Sequence, residues 1–274
     1  MTKTRADKVK SFRSLHQADS IFVIPNPWDV GSIRIFENSG FKALATTSTG
    51  MAFSLGLVDG DVNPGLVLAH CKTLVEATDL PVSADLEKGF GDDPQAVYDT
   101  IVAAAEVGLA GGSIEDHTGD PDDPIYDKSL AVERIAAAVE ATSAVAGGFV
   151  LTARCENLLW ERSNIDDVID RLIAFEAVGA EVLYAPALRT LEDITTVCSS
   201  LSAPVNVVME QAGTPYKVEE LAKAGVKRIS LGGAPAQLAY GSIAKAAQEI
   251  VQSGSFTFTQ DAMDFYELQT IITS

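Results

Sequence analysis

Four short phrases recur along the chain: Ser39-Gly40-Phe41-Lys42, Val107-Gly108-Leu109-Ala110, Val178-Gly179-Ala180-Glu181 and Ala224-Gly225-Val226-Lys227. Each reads as a helix end, a glycine that stops the helix, and the start of an apolar strand. The same helix-to-strand joint used four times constrains the fold more than any other feature. It implies a repeated βα unit, and strands joined through helices run parallel.

Strand signals fall at 21–24, 42–47, the first part of 81–91, 111–115, 149–154, 181–185, 204–208 and 226–231. They are short and mostly apolar, as buried strands are. Helices are expected at about 4–18, then up to about 39, 64–78, 94–107, 129–145, 165–178, 190–200, 217–224 and 234–252. Pro64 suits a first helical position. Residues 117–127, rich in Asp, Pro and Gly, read as a mobile loop. Eight strands alternating with helices predict a TIM-type (β/α)8 barrel, one domain over 1–274, with an open doubly wound sheet as the lesser alternative. A last helical piece, about 260–272, follows the Ser253-Gly254-Ser255 break. It makes about 255–274 an extension that packs on its own barrel or is swapped with a neighbouring subunit.

The length of 274 residues, 47% of them hydrophobic, is enough for one large core. The formal charge of −18, from 38 acidic against 20 basic residues, argues against nucleic-acid and anionic-membrane partners. An anionic substrate then needs local positive charge, from a metal ion or an arginine. Three scattered cysteines, Cys71, Cys155 and Cys198, form neither a disulfide framework nor a zinc motif. The polar N-terminus lacks a leader's apolar segment, and no apolar run is long enough to span a bilayer. A cytoplasmic protein is expected.

Barrels of this kind carry their sites at the C-terminal strand ends. The acids gather there on the third and fourth strands, as Asp85, Glu87 and Glu115, with Asp59 in the loop after the second. Asp85 and Glu87 are two residues apart, so strand alternation aims both into one space. Two carboxylates aimed together call for a cation, and oxygen-only ligands suit Mg²⁺, with Mn²⁺ as the other choice. Arg154, ending the fifth strand, faces this acid cluster and makes a cradle for a small dianion. Asn206, ending the seventh strand, is a further candidate for binding the substrate. His117 is the candidate proton donor, and Cys155 should turn into the core. Lys88, in a glycine turn, is poorly placed for a desolvated Schiff-base lysine.

The stretch Asp85-Leu86-Glu87-Lys88-Gly89-Phe90-Gly91 resembles the Asp-x-Asp-x-Gly-Tyr-Gly signature of the isocitrate lyase/phosphoenolpyruvate mutase superfamily. Thr47-Ser48-Thr49-Gly50, Leu55-Gly56-Leu57-Val58-Asp59, Ser113-Ile114-Glu115-Asp116 and Thr152-Ala153-Arg154-Cys155-Glu156 resemble further motifs of that group, in the right order. The resemblance spans about 10–250. It implies a Mg²⁺-dependent enzyme that makes or breaks C–C or P–C bonds in a small α-keto or α-hydroxy carboxylate. By that analogy Asp85 ligates the metal directly, while Asp59, Glu87 and Glu115 hold its waters. Arg154 grips the substrate carboxylate, helped by Thr47, Ser48 and Thr49. Arg154 and Glu115 are thus catalytic candidates, and His117 joins them on its own chemistry rather than by the resemblance. The eighth-helix region of such proteins often swaps between subunits, which implies a homo-oligomer, dimer or tetramer.

This chain departs from the group in places. The cysteine-bearing loop of isocitrate and methylisocitrate lyases is replaced by His117-Thr118-Gly119-Asp120-Pro121-Asp122-Asp123-Pro124, which argues against those two activities. The Lys and Asn of the phosphonopyruvate-type loop are missing too. Ala187 stands where methylisocitrate lyases carry a glutamate after strand six, and Glu87 replaces the second aspartate of the signature. Two other readings compete: a sugar-phosphate aldolase or isomerase using Gly232-Gly233 as a phosphate loop, and a degenerate member that binds a metabolite without turnover.

Overall fold

The first and last strands lie side by side: β1 (Phe22–Ile24) pairs in parallel with β8 (Arg228–Ser230), Val23 opposite Ile229. That adjacency belongs to a closed barrel rather than an open sheet. The structure, a computed structural model, describes residues 3–161, 164–210 and 216–273. Between the outer two run β2 (Leu44–Ala45), β3 (Val82–Asp85), β4 (Gly111–Glu115), β5 (Val150–Arg154), β6 (Val182–Tyr184) and β7 (Val205–Val208). Every pairing is parallel, and the order is β1-β8-β7-β6-β5-β4-β3-β2. The last seam, between β1 and β2, is bridged where Ala45 N–H donates to Pro25 O at 3.0 Å and Asn26 Nδ2 donates to Thr46 O at 2.9 Å. This is the expected (β/α)8 barrel.

The outer helices are α1 (Arg5–Gln17), α2 (Val30–Asn38), α3 (Ser48–Ser54), α4 (Pro64–Glu76), α5 (Pro94–Glu106), α6 (Lys128–Ala144), α7 (Ile165–Ala177), α8 (Leu191–Ser200), α9 (Val218–Lys223), α10 (Ala234–Ser253) and α11 (Phe265–Thr273). Their starts are written in the sequence. Asn63 and Asp93 accept the backbone N–H of the third helical residue, and Pro64 and Pro94 follow as first residues. The four joint glycines all take positive φ, from 90° at Gly40 to 106° at Gly179. At Gly108 an added Cβ would also meet Val75 Cγ1 at 2.8 Å, so the joint needs glycine for space as well as for conformation.

Helix α1 closes the N-terminal end of the barrel. Its Val9 and Phe12 pack with Ile24, Ala110, Val150 and Val182 in one buried cluster. The larger cluster, including Leu86, Ile101, Leu109, Ile114 and Phe175, lies between strands and helices.

Three elements differ from expectation. Residues 48–54, between the expected second strand and the helix at 64–78, form an additional helix, α3, because Thr47 Oγ1 accepts from Gly50 N and caps it. The 117–127 segment, expected to be mobile, is tied down: His117 bridges Ile125, Thr118 N–H donates to Pro124 O and Tyr126 N–H to Asp116 O. The C-terminal piece breaks into a 3-10 turn, Thr257–Gln260, and then α11. Helix α11 returns to its own chain near α2, where Ile272 approaches Gly31. Helix α10, by contrast, buries only Ala236 and leaves Leu238, Ile243 and Val251 exposed. Among the described residues no helix is long and apolar enough to cross a membrane.

Candidate active site

Asp85, Glu115 and Arg154 are the last residues of β3, β4 and β5, so three neighbouring strands deliver them to one mouth. Arg154 Nη1 lies 3.3 Å from Glu115 Oε2 and 3.7 Å from Asp85 Oδ1, and its Nε donates to Glu156 Oε1. Its guanidinium also sits 5.2 Å from the centre of the Tyr184 ring. Burial works against charge on Arg154, but Glu156 and Glu115 outweigh it and hold the guanidinium ionised. Burial pushes the Glu115 carboxyl well up, against the pull of Arg154.

Around Asp85 the hydroxyls are committed. Ser48 Oγ donates to Asp85 Oδ2 at 3.2 Å, Thr46 Oγ1 accepts from Asp85 N at 3.0 Å, and Thr49 Oγ1 donates to Asp59 Oδ2 at 2.6 Å. Thr47 caps α3. Glu87 does not lie on the strand with Asp85, as alternation would have it. The strand ends at Asp85, and Glu87 lies in a turn with a φ of 50°, followed by Gly89 at 84° and Phe90 at 58°. The turn still brings the acids together: burial, then Asp85 and Asp59, raise the Glu87 carboxyl to about 7. Buried Arg134 of α6 pins this turn, with its guanidinium donating to Gly91 O at 2.9 Å and also to Lys88 O and Asp92 O. Lys88 Nζ is spent on Asp92 and Thr118 O.

A cavity of about 220 Å³ opens here, lined by Thr47, Ser48, Thr49, Asp59, Asp85 and Arg154 at its mouth. Glu87 and Glu115 stand outside that lining. Glu87 instead shares a smaller pocket with Asp85, His70 and Cys71. Among the described residues no three His, Cys, Asp or Glu side chains form a ready-made metal cluster. The donor set still fits a hard cation held mainly through water, since Mg²⁺ binds through one or two carboxylates and keeps several waters. Asp85 and Asp59 are oxygen donors close enough to Glu87 to raise its carboxyl, with Arg154 as the nearby cation.

Asn206 lies deeper than expected. It is buried in β7, accepting from Arg228 Nε at 2.7 Å and donating to Ser230 Oγ at 3.0 Å. His117 stands outside the cavity lining, stacked on Trp160 with ring centres 4.7 Å apart and its Nδ1 3.8 Å from Glu115 Oε1. The backbone N–H groups of the Gly232-Gly233 loop, which a phosphate would need, are already taken. Glu210 Oε1 accepts from Gly233 N at 2.8 Å, and Asn26 Oδ1 accepts from Leu231 N and Gly232 N. Glu210, Tyr184 and Arg228 also line the cavity and were not foreseen. Charge inside the strand signal 226–231, at Lys227 and Arg228, was the available hint for Arg228; for Glu210 it was a place two residues past the end of β7. Cys155 is buried, as alternation predicts.

The Phosphoenolpyruvate phosphomutase family model matches residues 12–251. The chain belongs to that family. A solved structure of a candidate lyase or mutase from Burkholderia cenocepacia J2315 superposes with a TM-score of 0.96 at 49% identity, covering 98% of this chain and 97% of that one. The 2-methylisocitrate lyase of Escherichia coli (strain K12) is 28% identical over 227 residues, 79% of this chain and 75% of the lyase. The structure of oxaloacetate acetylhydrolase in complex with oxalate superposes with a TM-score of 0.87 at 25% identity, covering 98% of this chain and 95% of that one. Within the phosphomutase family, then, this chain is similar to enzymes whose names specify small carboxylates.

Proposed function

We propose that this family member is a Mg²⁺-dependent enzyme, a lyase, decarboxylase or hydrolase, that cleaves a bond in a small α-keto or α-hydroxy carboxylate through an enolate. The observation that carries the reading is the pairing of Arg154 with Asp85 and Glu115 at three adjacent strand ends beside a polar cavity. The named relatives, a 2-methylisocitrate lyase and an oxaloacetate acetylhydrolase, support the substrate class.

Asp85 would hold the cation, with Asp59, Glu87 and Glu115 around its waters. When bound, the cation supplies a positive charge that stabilises a developing enolate. Arg154 binds and orients the substrate carboxylate, its own position fixed by Glu115 and Glu156. Ser48 and Thr49 orient Asp85 and Asp59. Glu210 lines the cavity with its carboxyl pushed up by burial, which suits it to hold the proton that the enolate takes. The missing cysteine loop keeps isocitrate and methylisocitrate cleavage out of the proposal. The sugar-phosphate alternative loses its loop to Asn26 and Glu210.

Oxaloacetate, dimethylmalate-like acids and phosphonopyruvate, each with and without Mg²⁺, form the deciding screen. Metal-dependent turnover of one of them, or entry of solvent deuterium at C3 of pyruvate, is expected. Ion binding unchanged in Asp85→Ala would sink the proposal, and a metal-loaded protein that neither turns over nor enolises any of these acids would leave a binding protein. The exposed apolar face of α10 is further proposed to cover a second copy of the chain in a homo-oligomer.

A further inference from the structure

Arg228 opens β8 and is 5% exposed, yet all its partners are neutral. Nε donates to Asn206 Oδ1 at 2.7 Å, Nη2 donates to Thr152 Oγ1 at 3.0 Å, and Nη1 lies 3.3 Å from His16 Nε2. His16 Nδ1 lies 2.9 Å from Phe12 O, so the proton sits on Nδ1 and Nε2 accepts from Arg228. His16 therefore adds no negative charge. Among the described residues no carboxylate comes within 4.0 Å of this guanidinium. Buried charges are as a rule paired, because desolvation costs so much. A guanidinium carries five N–H donors, and the three contacts leave Nη1 and Nη2 one each.

This unpaired cation is not sealed in the core. It lines the same cavity as Arg154, together with Ser83, Ser113 and Ser230. The depth follows from the strand. Thr152, which Arg228 touches, stands two residues before Arg154 on β5. Two residues of strand amount to about 7 Å. The cavity thus has one guanidinium at its mouth and a second roughly one inward-facing layer below.

We infer that Arg228 is the floor of the cavity, an anion subsite that receives the second ionised acid group of a substrate whose reacting carboxylate lies at Arg154. The inference rests on the reading of the mouth given above. It narrows the substrate to a diacid whose acid groups are a few carbons apart. Discrimination comes from the cost of leaving the floor cation unpaired when a monoacid binds.

Calorimetry on the whole chain with Mg²⁺ tests this with oxalate and two matched pairs: malate against 2-hydroxybutyrate, and 2-hydroxyglutarate against 2-hydroxypentanoate. The wild type should bind at least one diacid about 10- to 100-fold tighter than its monoacid, the scale of a hydrogen bond to a charged group. Arg228→Gln should erase that preference and leave oxalate affinity unchanged. Arg228→Lys, which keeps the charge and gives a second reading should the Gln variant fail to fold, should reduce the preference without abolishing it. The subsite is overturned if oxalate binds but the wild type gains nothing from the second acid, or if either variant keeps the full preference. Failure of oxalate to bind the wild type at all is a separate result, which sinks the mouth and the floor together.

Discussion

Arg154 Nη1 stands 3.3 Å from Glu115 Oε2 because the two residues are register partners at the ends of β5 and β4. Arg154→Met would leave Glu115 and Glu156 buried without their cation, a loss of about 3–5 kcal/mol. Turnover should fall by at least about 100-fold with it. Arg154→Lys returns the charge but not the planar fork. Stability should largely recover in that variant while turnover does not. Thermal unfolding and rate measurements read the two effects separately, and joint recovery would show that charge alone suffices.

Asp85→Ala should abolish Mg²⁺ and Mn²⁺ binding in a calorimetric titration, since it removes the proposed direct ligand. Asp59→Asn and Glu87→Gln, which touch only the waters in this scheme, should weaken the ion by about 10- to 100-fold. A larger loss from Glu87→Gln than from Asp85→Ala would reverse their roles.

The barrel and its mouth were legible in the sequence because they depend on local signals: joint glycines, helix caps and apolar strands. Strand ends then place Asp85, Glu115 and Arg154 without further information. Glu87 shows where such reasoning fails, since its convergence with Asp85 comes from a left-handed turn pinned by Arg134, forty-odd residues further on. His117 looked available because its loop is polar, but stacking on Trp160 fixes it outside the cavity. Arg228 and Glu210 were missed because their meaning lies in distant partners, His16 and Thr152 for one and Gly233 for the other.

Burial and then Arg228 lower His16 to about 3, from an ordinary value of 6.5. The folded chain therefore refuses a proton that the unfolded chain accepts. The stability that comes from a neutral His16 is complete above about pH 6.5 and is lost as pH falls towards about 3. His16→Gln should flatten the stability profile by about one proton across that window, roughly 1.4 kcal/mol per pH unit. Chemical denaturation at several pH values measures the difference between variant and wild type. Parallel profiles would mean that His16 is already protonated against Arg228.

Helix α10 runs for 20 residues yet buries only Ala236. Leu238 is 73% exposed, Ile243 64% and Val251 85%. A helix with this composition gains little from standing in water, since each large aliphatic side chain is worth about 1.5–3 kcal/mol when fully buried. Helix α11 does not cover it, because α11 returns to α2 and exposes Phe265 and Tyr266 as well. A second copy of the chain is the cover proposed here. Light scattering should give a multiple of the 28.9 kDa chain mass for the wild type. Leu238→Asp with Val251→Asp should shift it to the single-chain mass while the far-ultraviolet circular dichroism of the barrel stays intact. A wild type that runs as a single chain at every concentration leaves α10 without a partner of its own kind.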